Sequence, residues 1–108
     1  MILGDIGDIT RFGAKEFQLP ADGQQLDIFV VYYKSKVYGY KNSCPHHGLS
    51  LNWISDQFLD HDKTLIQCSN HGALFRIEDG TCVARTCVGK LLIPIAVVID
   101  HNKLILAD

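Results

Sequence analysis

The sequence predicts an all-β protein, on three observations. Its apolar residues mostly alternate with polar ones or form short β-branched runs, a pattern typical of strands. Groups of Gly, Pro, Asn and Asp separate these runs and indicate turns. The spacing of runs and turns over 108 residues leaves room for about eight or nine short strands and almost no helix.

The first half of the chain contains a predicted hairpin. A first strand is expected at Ala14–Leu19, ended by the turn signal of residues 20–23. Leu26–Tyr33 is the strongest strand candidate because seven of its eight residues are apolar or aromatic. Lys34-Ser35-Lys36 then turns the chain into the next strand, Val37–Tyr40.

The second half contains shorter elements. Asn52–His61 lacks clear alternation, with room for one helical turn, and two strands are expected at Thr64–Gln67 and Ala73–Glu78. Asp79-Gly80 is a hairpin turn signal. Pro94 interrupts an apolar run at 91–99, which predicts an edge strand or a bulge there, and residues 100–103 turn the chain into a last strand at 104–106.

Size and composition limit the classes of protein to consider. A chain this short predicts one domain, 1–108. Its 47% hydrophobic residues suffice for a core, although a metal site would add stability to so small a domain. The net charge of −2, without a Lys/Arg cluster, excludes a nucleic-acid partner. There is no apolar run of about 20 residues, and Asp5 and Asp8 interrupt the apolar start. We therefore expect a soluble, cytoplasmic protein with no membrane partner.

Two short segments carry the candidate metal ligands: Cys44-Pro45-His46-His47-Gly48 and Cys68-Ser69-Asn70-His71-Gly72. Each offers a thiolate and at least one imidazole at close spacing, which are the ligands that zinc and iron–sulfur clusters select. Each ends in a glycine, which allows the backbone to turn and to approach a metal closely. Spacing alone permits either His46 or His47 as the first histidine ligand.

The C-x-H and C-x2-H pair resembles the motif of the Rieske [2Fe–2S] ferredoxin family. Residues 65–68, 72–76 and 78–80, around the second segment, also look like this family. The resemblance implies one [2Fe–2S] cluster per chain. Its inner iron would be held by Cys44 and Cys68. Its outer iron would be held by His46 and His71.

The resemblance also implies a Rieske-like fold: an antiparallel β base, made by residues 1–41 and 81–108, with a small cluster-binding lobe inserted at about 42–80. Three departures from the family are visible. The spacer from His46 to Cys68 is a few residues longer than usual, which we interpret as a surface insertion around Asn52–His61. Leu49 and Asn70 stand where the respiratory members have a disulfide, and residues 82–87 lack the proline of the usual covering loop.

Several other residues have open or structural interpretations. Cys82 and Cys87 are expected to be buried thiols, with a disulfide as the alternative that the cytosol disfavours. His61 and His101 are expected in surface loops, and His47 at the surface beside the cluster. Three apolar residues of the insertion are expected to pack it against the core: Trp53, Phe58 and Leu59. The alternative is that they form a patch on which a partner docks.

The resemblance implies a one-electron carrier between a reductase and an oxygenase or another redox enzyme, and not an enzyme in itself. High-potential members of the family have hydroxyl side chains where this chain has Ala73 and Phe75, so a low-potential ferredoxin type is expected. One alternative is a small subunit of a reductase complex, similar to that of nitrite reductase. A less favoured one is a structural zinc module with two Cys and two His ligands.

Overall fold

Antiparallel strands account for nearly all regular structure in the described residues. The computed structural model describes residues 2–10, 13–21, 24–45, 50–52, 56–69, 72–84 and 88–107. Their elements are, in chain order, β1 (Ile2–Asp5), α1 (Gly7–Thr10), β2 (Ala14–Ala21), β3 (Gln24–Tyr33), β4 (Lys36–Lys41), β5 (Leu65–Gln67), β6 (Leu74–Arg76), β7 (Cys82–Ala84), β8 (Pro94–Ile95), β9 (Val97–Asp100) and β10 (Lys103–Leu106). No helix in this part of the chain is long and apolar enough to cross a membrane.

The strands form three antiparallel sheets. The two ends of the chain build the sheet β1-β10-β9 and the sheet β2-β3-β4-β8. The middle of the chain builds the third, β5-β6-β7. This third sheet runs to Ala84, four residues past the expected lobe boundary at 80, because β7 pairs with β6. The all-β prediction is confirmed.

Two tight turns join long-paired strands. Lys34 and Ser35, between β3 and β4, have φ angles of 51° and 66°. His101 and Asn102, between β9 and β10, have φ angles of 51° and 62°. Two central residues with positive φ match the twist of the flanking strands. Both predicted hairpins are therefore confirmed, although lysine and serine, unlike histidine and asparagine, rarely adopt such angles.

The observed strand ends differ from the predicted ones where proline or a turn intervenes. β2 continues through Pro20 to Ala21, two residues beyond the predicted end at Leu19, because it lies at the edge of its sheet and the missing N–H is not needed there. β6 ends at Arg76, before the predicted Glu78, because the amide of Gly80 donates to the carbonyl of Arg76 and begins the turn. Pro94 starts β8 at the other edge of the same sheet, as predicted.

The strand β3 contributes to two hydrophobic clusters because successive side chains point to opposite faces. On one face, Val30 packs with Ile9 and Leu104 against the sheet of the chain ends. On the other, Phe29 and Val31 pack in the larger cluster that extends into the lobe. The continuous apolar run of β3 thus reflects burial on both faces.

The side chain of Tyr40, in β4, links the base to the lobe. Its side chain is buried, and its hydroxyl donates a hydrogen bond of 2.5 Å to the carbonyl oxygen of Ile77, in the turn between β6 and β7. Gly80, in the same turn, has a φ of +73°, and a Cβ there would lie 2.9 Å from Cε1 of the tyrosine ring. The turn therefore needs glycine for its backbone angle and for the close approach of Tyr40.

We expect Tyr40→Phe to destabilise the fold by about 1–3 kcal/mol, since the carbonyl of Ile77 loses its buried donor. Burial, and then the charge of Asp79, raise the pKa of Tyr40. The stability that depends on the neutral phenol is present below the unfolded pKa of about 10 and is lost as the pH rises above it. Urea unfolding at neutral and alkaline pH should show a steeper alkaline decline in wild type than in the variant. Parallel declines would contradict this role of Tyr40.

Candidate metal centre

The two cysteines of the predicted ligand set lie in one buried cluster. Cys44 follows β4 and is 1% exposed, whereas Cys68 follows β5 and is 0% exposed. Both belong to the larger hydrophobic cluster, together with Leu51 and Ala73. The structure thus brings together two residues that are 24 positions apart in the sequence. The predicted histidine ligands, His46 and His71, and the alternative His47 lie outside the described residues.

Hydrogen bonds close the first ligand loop at its ends. The side-chain oxygen Oδ1 of Asn42, just after β4, accepts from the backbone amide of Leu51 at 2.8 Å. Its Nδ2 donates to Oδ1 of Asn52 at 3.0 Å. The backbone amide of Asn42 in turn donates to the carbonyl of Asp27 in β3, at 2.8 Å. Asn42 and Leu51, on either side of this segment, are therefore held next to each other.

The second ligand loop is closed by its own backbone. The amide of Cys68 donates to the carbonyl of Ala73 at 2.9 Å, and the amide of Gly72 donates to the carbonyl of Cys68 at 2.8 Å. Gly72 has a φ of 70°, in the left-handed region that glycine adopts without strain. Gly72 is therefore held next to Cys68 by a tight turn.

The two loops are also joined to each other. The amide of Ser69, in the second loop, donates to the carbonyl of Leu51, at the end of the first loop, over 2.6 Å. The backbone of Leu51 thus accepts from the second loop through its carbonyl and donates to Asn42 through its amide. The distance between the loops is therefore set by hydrogen bonds, and a shared metal centre requires such a constraint.

The chemistry of these donors fits a metal centre. Two cysteine sulfurs, buried at 0–1% exposure on two loops joined by a hydrogen bond, are ligands that zinc and iron–sulfur clusters select. The described residues contain no group of three or more His, Cys, Asp and Glu side chains placed to hold a metal. Only the two cysteines of the expected four ligands are within that part of the chain.

The insertion between the loops packs on the base. The ring of Phe58, which is 1% exposed, stacks on Phe29 of β3 with ring centres 4.3 Å apart and planes 7° apart. Leu59 is partly buried against the same cluster. The packing role predicted for these two residues is confirmed, whereas Trp53 lies outside the described residues.

Polar contacts hold the same insertion against the edge strand β2. Oδ1 of Asp56 accepts from the amide of Glu16 at 2.9 Å, and its Oδ2 lies 3.6 Å from the ammonium nitrogen of Lys15. Nδ2 of Asn52 donates to Oε2 of Glu16 at 3.3 Å. The long spacer thus covers a sheet edge whose backbone groups would otherwise face solvent.

The remaining candidate residues lie away from the two cysteine loops in sequence. Cys82 is buried and its Sγ donates to the carbonyl of Ala84 at 3.2 Å, as expected of a buried thiol, while Cys87 lies outside the described residues. His61 and His101 are exposed, as predicted, and Nδ1 of His101 lies 2.8 Å from Oδ1 of Asp100.

Sequence reasoning missed Asn42. Apart from Tyr40, it is the one buried side chain with an oxygen or nitrogen atom among the described residues. The sequence did contain a signal, because an asparagine directly after a strand and two residues before a ligand cysteine is placed to bond loop backbone. Nothing in the sequence showed that its partner would be Leu51.

Comparisons with known proteins agree with this architecture. A sequence model described as the Rieske [2Fe–2S] domain matches residues 5–98. A comparison with curated proteins gives no match. The ferredoxin of carbazole 1,9a-dioxygenase from Nocardioides aromaticivorans IC177 is similar in fold, with a TM-score of 0.74 at 20% identity, over 99% of this chain and 95% of that one.

Two further solved structures are similar at comparable levels. The ferredoxin of Sphingomonas yanoikuyae B1 has a TM-score of 0.73 at 18% identity, over 100% of this chain and 97% of that one. The terminal oxygenase of carbazole 1,9a-dioxygenase from Novosphingobium sp. KA1 has a TM-score of 0.74 at 17% identity. That match covers 96% of this chain and 28% of the oxygenase.

Proposed function

Because this chain belongs to the Rieske [2Fe–2S] domain family, we propose that it is a one-electron carrier that receives an electron from a reductase and delivers it to an oxygenase or another redox enzyme. Membership implies one [2Fe–2S] cluster per chain. When bound, that cluster takes up and returns a single electron. The carrier's own residues hold the cluster, exclude water and present it to a partner, while the oxidation of a substrate takes place in the partner.

The observation that carries this proposal is the burial of Cys44 and Cys68 in one cluster, on two loops tied together through Leu51. These thiolates would hold the inner iron. The outer iron would be held by His46 and His71, which the family motif selects over His47. Phe75 and other apolar neighbours exclude water from the inner side, so that the redox group would exchange electrons on its histidine side.

The partner assignment is supported by similar structures. One of them is described as a complex of reduced oxygenase and oxidized ferredoxin in carbazole 1,9a-dioxygenase, and its match covers 99% of this chain at 18% identity. We propose a partner of the same general class for this chain. A cytoplasmic location is part of the proposal, supported by the buried, hydrogen-bonded thiol of Cys82, since the cytosol keeps thiols reduced.

The absorption spectrum of the purified protein, with its iron and sulfide content, tests the proposal directly. We expect a coloured protein with two irons and two sulfides per chain, which is the composition of a [2Fe–2S] cluster. A colourless protein that holds one zinc ion would refute the electron-carrier function and favour the structural zinc module.

We expect a potential in the lower half of the Rieske range of about −150 to +300 mV. Ala73 and Phe75 are buried beside the cysteines and have no hydroxyl group to donate to the cluster. Ala73→Ser should therefore raise the potential, by about 60 mV if the new bond favours the reduced form tenfold, and Phe75→Tyr should raise it as well. Voltammetry measures both shifts. Val83→Thr, which adds a hydroxyl to an exposed position of β7, is the control without a shift.

We expect Leu49→Asp to slow electron transfer to the natural partner while the spectrum stays unchanged. Leu49 follows the predicted ligand His46 in the first loop, so the partner would dock beside it. The control Val98→Asp makes the same charge change at an exposed position of β9, in the sheet of the chain ends. Stopped-flow reduction of the partner measures both rates. Equal slowing by the two variants would indicate long-range electrostatic steering and contradict docking at the loop.

A further inference from the structure

We infer that Asn42 is a positioning residue that sets the distance between the two ligand loops and so tunes the cluster; this inference rests on the proposed function. Among the described residues Asn42 is the one buried side chain that carries an amide or a charge, at 8% exposure. It is not a ligand of the family motif. Burying an amide is unfavourable unless its donor and acceptor groups are satisfied, so its place in the structure requires an explanation.

The side chain of Asn42 uses both ends of its amide. Oδ1 accepts from the amide of Leu51 at 2.8 Å, and Nδ2 donates to Oδ1 of Asn52 at 3.0 Å. The backbone amide of the same residue donates to the carbonyl of Asp27 in β3, at 2.8 Å. Asn42 is therefore fixed to the long strand of the base and holds the end of the first loop by two bonds.

From Leu51 the constraint continues into the second loop. The carbonyl of Leu51 accepts from the amide of Ser69 at 2.6 Å, next to the buried Cys68. Three consecutive hydrogen bonds thus lead from β3, through Asn42 and Leu51, to Ser69. Cys44 lies two residues after Asn42, and Cys68 lies one residue before Ser69. A change at Asn42 would move the two thiolates relative to each other.

The chemistry of the side chain distinguishes two variants. Leucine has a similar size but leaves the buried amide of Leu51 without its acceptor. Aspartate keeps that acceptor, but it replaces the donation to Asn52 with a carboxylate oxygen and adds a negative charge at a buried position. If Asn42 acts through Leu51, Asn42→Asp should therefore retain the cluster better than Asn42→Leu, although its charge lowers the reduction potential.

The experiment compares wild type, Asn42→Leu and Asn42→Asp as purified holoproteins. We expect Asn42→Leu to lose its visible absorbance to an iron chelator at least about ten times faster than wild type, in line with the effect of outer partners on metal affinity. Its reduction potential and the electron paramagnetic resonance signal of the reduced protein should also shift. Asn42→Asp should lose its absorbance to the chelator more slowly than Asn42→Leu, while its added negative charge lowers the reduction potential.

Val30→Ala is the matched control for simple loss of stability. Val30 is fully buried, in the cluster with Ile9 and Leu104 and not in the cluster of the cysteines. It should lower the thermal midpoint without a change in potential or in the resonance signal. If Val30→Ala changes these properties as much as Asn42→Leu, or if Asn42→Leu changes neither, the inference is refuted.

Hydrogen exchange in the wild-type holoprotein provides a second test that does not depend on a folded variant. The amides of Leu51 and Ser69 should exchange as slowly as those in the centre of β3. Fast exchange at both would refute the inference. A wild-type protein without iron and sulfide would instead refute the proposed function, so the two failures are distinguishable.

Discussion

The protein is expected to lose its [2Fe–2S] cluster when any one of the four proposed ligands is replaced, as in Cys44→Ser, His46→Ala, Cys68→Ser and His71→Ala. Each change removes half of the protein ligands of one iron. Even the outer partners of metal ligands contribute about 10–100-fold to affinity, so the loss of a ligand should lower bound iron and sulfide by at least about tenfold. Iron and sulfide analysis with the visible spectrum measures this loss.

The matched control is His47→Ala, next to the proposed ligand His46. It should keep the cluster, its spectrum and its potential. The reverse outcome, with the cluster lost in His47→Ala and kept in His46→Ala, would mean that both loops use the C-x2-H spacing. Cys44 and Cys68 lie in one buried cluster, so the proposal for the cysteine half of the set starts from residues that the fold brings together.

The second large effect is expected at Phe58. Phe58→Ala should destabilise the protein by about 3–5 kcal/mol, since a fully buried aromatic side chain leaves a cavity when it is truncated. The same change removes the stacked contact with Phe29, at 4.3 Å between ring centres. For a small domain this is a large part of the total stability of about 5–15 kcal/mol. Urea unfolding of the wild-type and Phe58→Ala holoproteins measures the difference in the free energy of unfolding.

The control for Phe58 is Val88→Ala, at a position that is 63% exposed. It should change the free energy of unfolding by less than about 0.5 kcal/mol. A loss below about 1 kcal/mol in Phe58→Ala would show that the insertion is not anchored by this ring. It would also reopen the alternative in which the apolar residues of the insertion form a docking patch.

Local patterns in the sequence were sufficient for most of the strands. The run that became β3 and the turns at Lys34-Ser35 and Asp79-Gly80 are determined by neighbours in the chain, and all three were predicted correctly. The two candidate ligand cysteines were predicted in the same way, because their spacing to histidine and glycine is a local property. The resemblance to the Rieske family then supplied the fold, which composition and periodicity could not.

Contacts between distant residues were beyond such reasoning. The strand β1, Ile2–Asp5, was not predicted, because four residues become a strand here only by pairing with β10, about a hundred positions later. Pro20 extends β2 because that strand lies at a sheet edge, a fact of topology. For β1, the strand that satisfies the backbone hydrogen bonds is remote in sequence.

The sequence by itself determined the fold class, the family and the four candidate ligands, since these depend on residue type and short spacing. Only the tertiary structure decided how the two loops are held together. The amide of Asn42, the peptide of Leu51 and the amide of Ser69 come from separate parts of the chain, and their geometry arises when β3 and the lobe pack around one core. Such hydrogen bonds leave no periodic or spacing signal, because a buried polar group is satisfied by whichever partner the fold brings near it.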